Sequence, residues 1–159
     1  MQNNFQECAQ LNVEDVYSKS ANTLADLYLL QKDIQENVYK YSFSELQNGP
    51  LNKMREFFDW NYHGLQDELR EVYSALGGMK DGIAAGVWKP WKKDYREKAP
   101  LMKYSDLSQN DVLELKYELI DCQHFLFNMM LAAGITPQEL MNLYFAKNME
   151  NRDRVKRGY

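Results

Sequence analysis

The stretch from Leu119 to Gln138 restricts the fold more than any other part of this chain. Its apolar residues occupy every side of a helical wheel, and its one acid is Asp121. Such a run predicts a central helix packed on most sides by other helices. Ser108 with Asp111 three residues on is suited to open that helix, and Gly134 to close it. Thr136-Pro137-Gln138-Glu139 follows as a capping box with proline in the first turn, so a further helix runs on through Leu140, Leu143 and Tyr144. Upstream, Leu24, Leu27, Ile34, Val38 and Tyr41 recur at helical steps from about Asn22 to Tyr41, with Gln31 inside the stripe. A second helix starts near Pro50 and continues through Leu65, Leu69, Val72 and Leu76 to the pair Gly77-Gly78. Nothing alternates at period two, and 159 residues suffice for one core. The expectation is an all-α, four-helix core in one domain spanning 1–159, with a long loop between the second and third helices.

That loop, from Met79 to about Ser108, contains Gly82, Gly86, Pro90, Pro100 and the cluster Trp88-Lys89-Pro90-Trp91-Lys92-Lys93. Its length suggests a task. A formal net charge of -4 argues against a surface built to grip a nucleic acid directly. Two cysteines, Cys8 and Cys122, are too few for a disulfide framework and suit a reducing cytoplasm. No apolar run reaches membrane-spanning length, and the N-terminus lacks the pattern of a secretory signal, so no membrane partner is expected.

The informative residues are acids in apolar company. Glu118 lies one turn before Asp121, and Glu68 and Glu71 are likewise three apart beside Leu65, Leu69 and Val72. A bare carboxylate among apolar neighbours is costly unless it takes a proton or a cation. Two helices that each offer such a pair can surround one small volume with four carboxylates, and an oxygen-only ligand set selects a hard divalent ion such as Mg²⁺. E-x-x-E and E-x-x-D pairs are also common on solvated helix faces. A di-iron centre of the acid-x-x-His kind fails on count, since the chain has two histidines and His63 has Trp60 where an acid would be needed. His124 then reads as a neighbour of the acids rather than a ligand.

From Lys147 onward five basic residues meet two acids, and Tyr144, Lys147, Asn151 and Arg154 fall on one helical stripe. Such a row of donors suits phosphate, although a solvated helix end has the same composition. Trp88 and Trp91 beside lysines suit either base stacking or anchoring of the loop. Gln31 and Gln35 can satisfy backbone groups or read a pyrimidine.

The run from Glu118 to Phe125, followed by Tyr144-x-x-Lys147-Asn148-x-x-Asn151-x-x-Arg154-x-x-x-Gly158-Tyr159, resembles the all-α dimeric dUTPases and MazG-like nucleotide pyrophosphatases. Glu7-Cys8-Ala9, Asp67-Glu68-Leu69-Arg70-Glu71, Val87-Trp88-Lys89-x-Trp91-Lys92 and the C-terminal third are similar to the T-even-type bacteriophage branch of that superfamily, which acts on dCTP and dUTP. The resemblance implies Mg²⁺-dependent hydrolysis of dCTP and dUTP, with the diphosphates, to dCMP and dUMP in the deoxynucleotide pool of an infected cell. It implies two or more Mg²⁺ ions on Glu68, Glu71, Glu118 and Asp121, with Glu68 or Glu71 acting on the attacking water. By the same resemblance Lys147, Asn151, Arg154 and Tyr159 hold phosphates, and Gln31, Gln35, Trp88, Trp91 and His124 lie at the base and sugar. It further implies a homodimer. In many dimeric dUTPases the Trp-Lys-x-Trp-Lys run follows soon after the second acid, whereas here residues 74–86 intervene. A strict dUTPase, a broad MazG-like hydrolase and a catalytically silent helical interaction protein are the competing expectations.

Overall fold

The computed structural model describes residues 23–78 and 103–158, and every regular element in them is helical. The expected all-α class is what the structure has. The helices are α1 (Thr23–Asp33), α2 (Phe43–Asn48), α3 (Leu51–Tyr73), α4 (Gln109–Ala132) and α5 (Pro137–Lys156). Wider π-helical turns extend α1 over Ile34–Val38 and α3 over Ser74–Gly78, and a 3₁₀ turn, Tyr104–Asp106, precedes α4. Most of the long loop, with Trp88 and Trp91, lies outside the described residues, as do Glu7, Cys8 and Tyr159.

The helix ends follow from local chemistry. Ser108 Oγ accepts from the Asp111 N–H at 3.1 Å, and Thr136 Oγ1 accepts from the Glu139 N–H at 3.2 Å, with Pro137 in the first turn of α5. Gly134 takes φ +77° at the end of α4, a conformation that disfavours a side chain. The Ile135 N–H reaches back to the Met130 carbonyl at 3.0 Å. Helix α2 was not expected, yet Ser42 with Glu45 three residues on is its start signal, and Ser42 Oγ accepts from the Glu45 N–H.

The chain divides into two compact units. In the first, described residues 59–78 and 103–126, the buried core is Val72, Ala75, Leu115 and Cys122, with Leu65 packed on it. Phe125 meets Trp60 edge to face at 6.5 Å between centroids and lies over Gly64, where an added Cβ would fall 2.4 Å from the ring. Because Gly64 meets Phe125 and Glu68 meets Asp121 and Glu118, α3 and α4 run antiparallel here. In the second unit, residues 23–58 and 127–158, Phe43, Phe57 and Ala132 form the buried cluster, backed by Leu46, Met54, Phe58 and Leu131. Tyr28 stacks at a tilt on Phe127 at 4.7 Å, and Gln47 Nε2 donates at 3.0 Å to the Leu131 carbonyl, which also accepts from the Gly134 N–H at the end of α4.

Two expectations are overturned. The apolar stripe of α1 does not face inward: Leu27, Ile34, Val38 and Tyr41 are exposed, and the residues buried along this segment are Tyr28, Gln31 and Gln35. Burying the carboxamides is tolerable where they find partners, as Gln31 does, so the helix is turned by its polar contacts and leaves the leucines outside. Nor is α4 enclosed on most sides, since Leu119 and Ile120 are half exposed. One face of the helix, Leu115, Glu118 and Cys122, is spent on the core of the first unit.

Candidate metal centre

Glu68 on α3 and Glu118 and Asp121 on α4 each bring a carboxylate oxygen within 4.8 Å of the other two. All three belong to the first unit, and each side chain arrives from the middle of a long helix, which fixes its backbone more firmly than a loop would. Glu118 and Asp121 were both expected among apolar neighbours, but the buried member is Glu118, at 1% exposure; Asp121 and Glu68 are partly open. The reason is angular. Glu118 points with Leu115 and Cys122 toward the core, while Asp121 sits to one side of that line.

Three carboxyl groups this close cannot all carry charge without compensation. Burial, the hydrogen bond with Glu68 and the charges of Glu71, Glu68 and Asp121 push the Glu118 carboxyl up to about 8. Burial also raises Glu68, opposed by the hydrogen bond from Glu118 and helped by the charges of Asp121, Glu71 and Asp67. The Cys122 thiol is raised by burial and then by the same acids, so it is an inert core group rather than a nucleophile. Glu118 Oε1 has no hydrogen-bond partner. A buried acceptor left without a donor, beside two more carboxylates and no lysine or arginine in the group, fits a hard divalent cation. Such an ion would displace the Glu118 proton and complete the coordination that Oε1 lacks.

Glu71, the fourth acid of the expected set, is exposed and stands outside the triad, though its charge acts on both Glu68 and Glu118. His124 Nδ1 lies 3.3 Å from Asp121 Oδ1, on the flank of the acids, where the sequence had put it. An open cleft of about 520 Å³ is lined by Trp60, His63, Gln66, Asp67 and Arg70 of α3 and Phe125 of α4, around Gly64. Asp67 and Arg70 are ion-paired there.

The remaining expected residues that the structure describes belong to the second unit. Gln31 and Gln35 are buried. Tyr144, Lys147 and Asn151 are exposed along α5, and Arg154 is half buried, its Nε 3.1 Å from Glu150, which also takes Arg157 at 2.7 Å. The basic end of α5 is therefore partly self-neutralised. Two residues escaped the sequence reading: Asn61 and Asn128, both buried. Each stands seven residues from an acid on its own helix, Asn61 before Glu68 and Asn128 after Asp121, and that two-turn spacing was a usable signal.

Geometry and fold thus define an all-helical protein with a carboxylate centre suited to a divalent ion. The chain is 33% identical to the dCTP pyrophosphatase of Enterobacteria phage T4 over 175 aligned positions, covering 98% of both chains. It is 50% identical to the dCTP pyrophosphatase of Enterobacteria phage LZ5 over 97 residues, which span 60% of this chain and 56% of that one. A phage T4 protein described as a DNA replication protein is 33% identical over 164 positions, 91% of this chain and 40% of that protein. No family model matches the chain, and no solved structure does. The chain belongs to the dCTP pyrophosphatase family of T4-like phages.

Proposed function

We propose that this chain is a Mg²⁺-dependent nucleoside triphosphate pyrophosphatase that converts dCTP and dUTP, and the corresponding diphosphates, to dCMP and dUMP, working as one domain over residues 1–159. The observation that carries this reading is the triad Glu68, Glu118 and Asp121, with an unpartnered buried oxygen on Glu118, in a chain that aligns over 98% of its length with a dCTP pyrophosphatase. Two or more Mg²⁺ ions held by Glu68, Glu118, Asp121 and Glu71 would supply Lewis-acid stabilisation of phosphate charge and a more acidic water.

The protein's own groups do the rest. Glu118 gives up its proton when the centre is loaded, which converts the buried acid into a ligand. Glu71, at the exposed edge of the patch, or Glu68 orients the attacking water and takes its proton. Lys147, Asn151, Arg154 and Tyr159 hold the departing phosphates, Arg154 exchanging its bond to Glu150 for phosphate. Gln31 and Gln35 read the base, with Trp88, Trp91 and His124 beside base and sugar.

A second copy is the partner we assign to the outward apolar stripe of α1, formed by Leu27, Leu30, Ile34 and Val38. Among the described residues no helix is long and apolar enough to cross a membrane. The likeness to phage dCTP pyrophosphatases supports a site of action in the cytoplasm of an infected cell, with no direct nucleic-acid partner. Product analysis of dCTP, dUTP, dTTP, dATP and ATP, with Mg²⁺ present or chelated, tests the reading. Mg²⁺-dependent release of dCMP and dUMP is expected. Cleavage of dUTP alone marks a strict dUTPase, cleavage of purines a broad MazG-like hydrolase, and no cleavage at all an interaction protein.

A further inference from the structure

The second unit holds a buried cluster of neutral amides. Gln31 Nε2 donates to Asn128 Oδ1 at 2.7 Å, and both residues are more than nine-tenths buried. Gln35, four residues further along the same inward face, is 3% exposed, and its Oε1 has no hydrogen-bond partner. A buried oxygen acceptor without a donor is expensive to maintain, and it is kept here while leucines of the same helix stand exposed.

The arrangement has a polarity. Gln31 commits its amino group to Asn128, so the group it does not engage there is its carbonyl oxygen. Gln35 adds a second carbonyl oxygen. The cluster as built therefore offers acceptors and calls for a donor. Cytosine presents a donor, its amino group, at C4 and an acceptor at N3; uracil presents the reverse, an oxygen at C4 and a donor at N3. A Gln31 carbonyl set against the 4-position therefore matches cytosine and opposes uracil. With the base held in the same place, Gln31 can serve the 4-oxygen of uracil only by turning its carboxamide over, which brings its own oxygen against Asn128 Oδ1 unless Asn128 turns as well.

We propose that Asn128 is a specificity-determining residue: by fixing the orientation of the Gln31 carboxamide it selects a pyrimidine with a 4-amino group, and it admits uracil only through a concerted half-turn of both amides. This rests on the pyrimidine-nucleotide reading above and adds a residue and a preference to it. Asn128 acts through Gln31 and positions it; no contact with the base is required of it.

The test compares kcat/KM for dCTP, dUTP and the deoxynucleoside triphosphate of 2-pyrimidinone, which has no substituent at C4, in the unaltered protein and in Asn128→Leu, with thermal melts of both. The unaltered protein should favour dCTP over dUTP and over the 2-pyrimidinone compound by about tenfold or more, the scale at which buried polar groups discriminate. Asn128→Leu, which frees the Gln31 amide to turn alone, should bring the dCTP to dUTP ratio at least about fivefold closer to one. A general loss of packing would lower both rates and leave their ratio alone. An unchanged ratio in folded Asn128→Leu overturns the proposal while leaving the pyrophosphatase reading intact. So does a 2-pyrimidinone nucleotide cleaved as well as dCTP, a comparison that needs no variant to fold. An unaltered protein that cleaves no pyrimidine triphosphate overturns both.

Discussion

The two units each bury polar side chains, but in different company. The first buries a carboxyl, Glu118, among other acids, with one amide, Asn61, elsewhere on α3; in the second the buried polar side chains among the described residues are carboxamides, Gln31 bonded to Asn128, and Gln35. Carboxyls respond to protons and cations, since their charge must be removed or compensated before they can be enclosed. Amides are indifferent to pH and respond to the donor and acceptor pattern of whatever meets them. Charge thus governs the acid cluster of the first unit, and the pattern of donors and acceptors governs the amide cluster of the second.

Activity offers the sharpest way to break this comparison. Asp121→Ala or Glu68→Ala should lower turnover by about a thousandfold or more at saturating Mg²⁺, whereas Gln35→Ala should cost roughly ten- to a hundredfold in kcat/KM. Equal losses at the two places, in steady-state assays on variants with unaltered circular dichroism, would erase the distinction.

Stability gives the next test. Glu118 has its carboxyl raised from 4.5 to about 8, so the native protein holds a proton that the unfolded chain releases. The contribution of this group is fully present below about pH 4.5 and is lost as pH rises through about 8. The melting temperature of the metal-free protein should therefore decline across that window, and Mg²⁺ should offset the decline by taking the place of the proton. Titration of Mg²⁺ at pH 7 in buffers of different ionisation enthalpy should show release of about one proton. Metal uptake without proton release would contradict the buried acid.

Substitution sharpens the same contrast further. Glu118→Gln keeps the shape and removes the titration. It should raise the melting temperature above pH 8 by several degrees, flatten the pH profile and abolish Mg²⁺ stabilisation. On the amide side the expected change is smallest: Gln31→Met should cost about 1–2 kcal/mol by leaving Asn128 short of its donor, with the same value at pH 6 and pH 9 in urea melts. A pH-dependent cost there would mean that the two clusters are not chemically separate.

Much of this was readable beforehand because the causes are local. Ser108, Thr136 with Pro137, and Gly134 announce helix ends through hydrogen bonds made within a few residues, and the structure places the ends there. The Ser42-x-x-Glu45 start of α2 was equally local and simply went unread. Pairs of acids three apart on two long helices brought Glu68, Glu118 and Asp121 to notice, because spacing alone puts each pair on one face. Spacing did not reveal that Glu118 rather than Asp121 is the buried acid, since that depends on how far each helix is rotated against its neighbour.

By itself the sequence determined the helical class, the capped ends of the helices and the acids that share a face, all consequences of a 3.6-residue period and short-range bonding. Tertiary packing alone decided that the leucines of α1 look outward while two glutamines look in, that Glu118 is shut away with one oxygen unserved, and that Asn128 meets Gln31 across 97 positions of chain. Which face of a helix is buried is settled by the surface it meets, and that surface comes from residues far away in the chain.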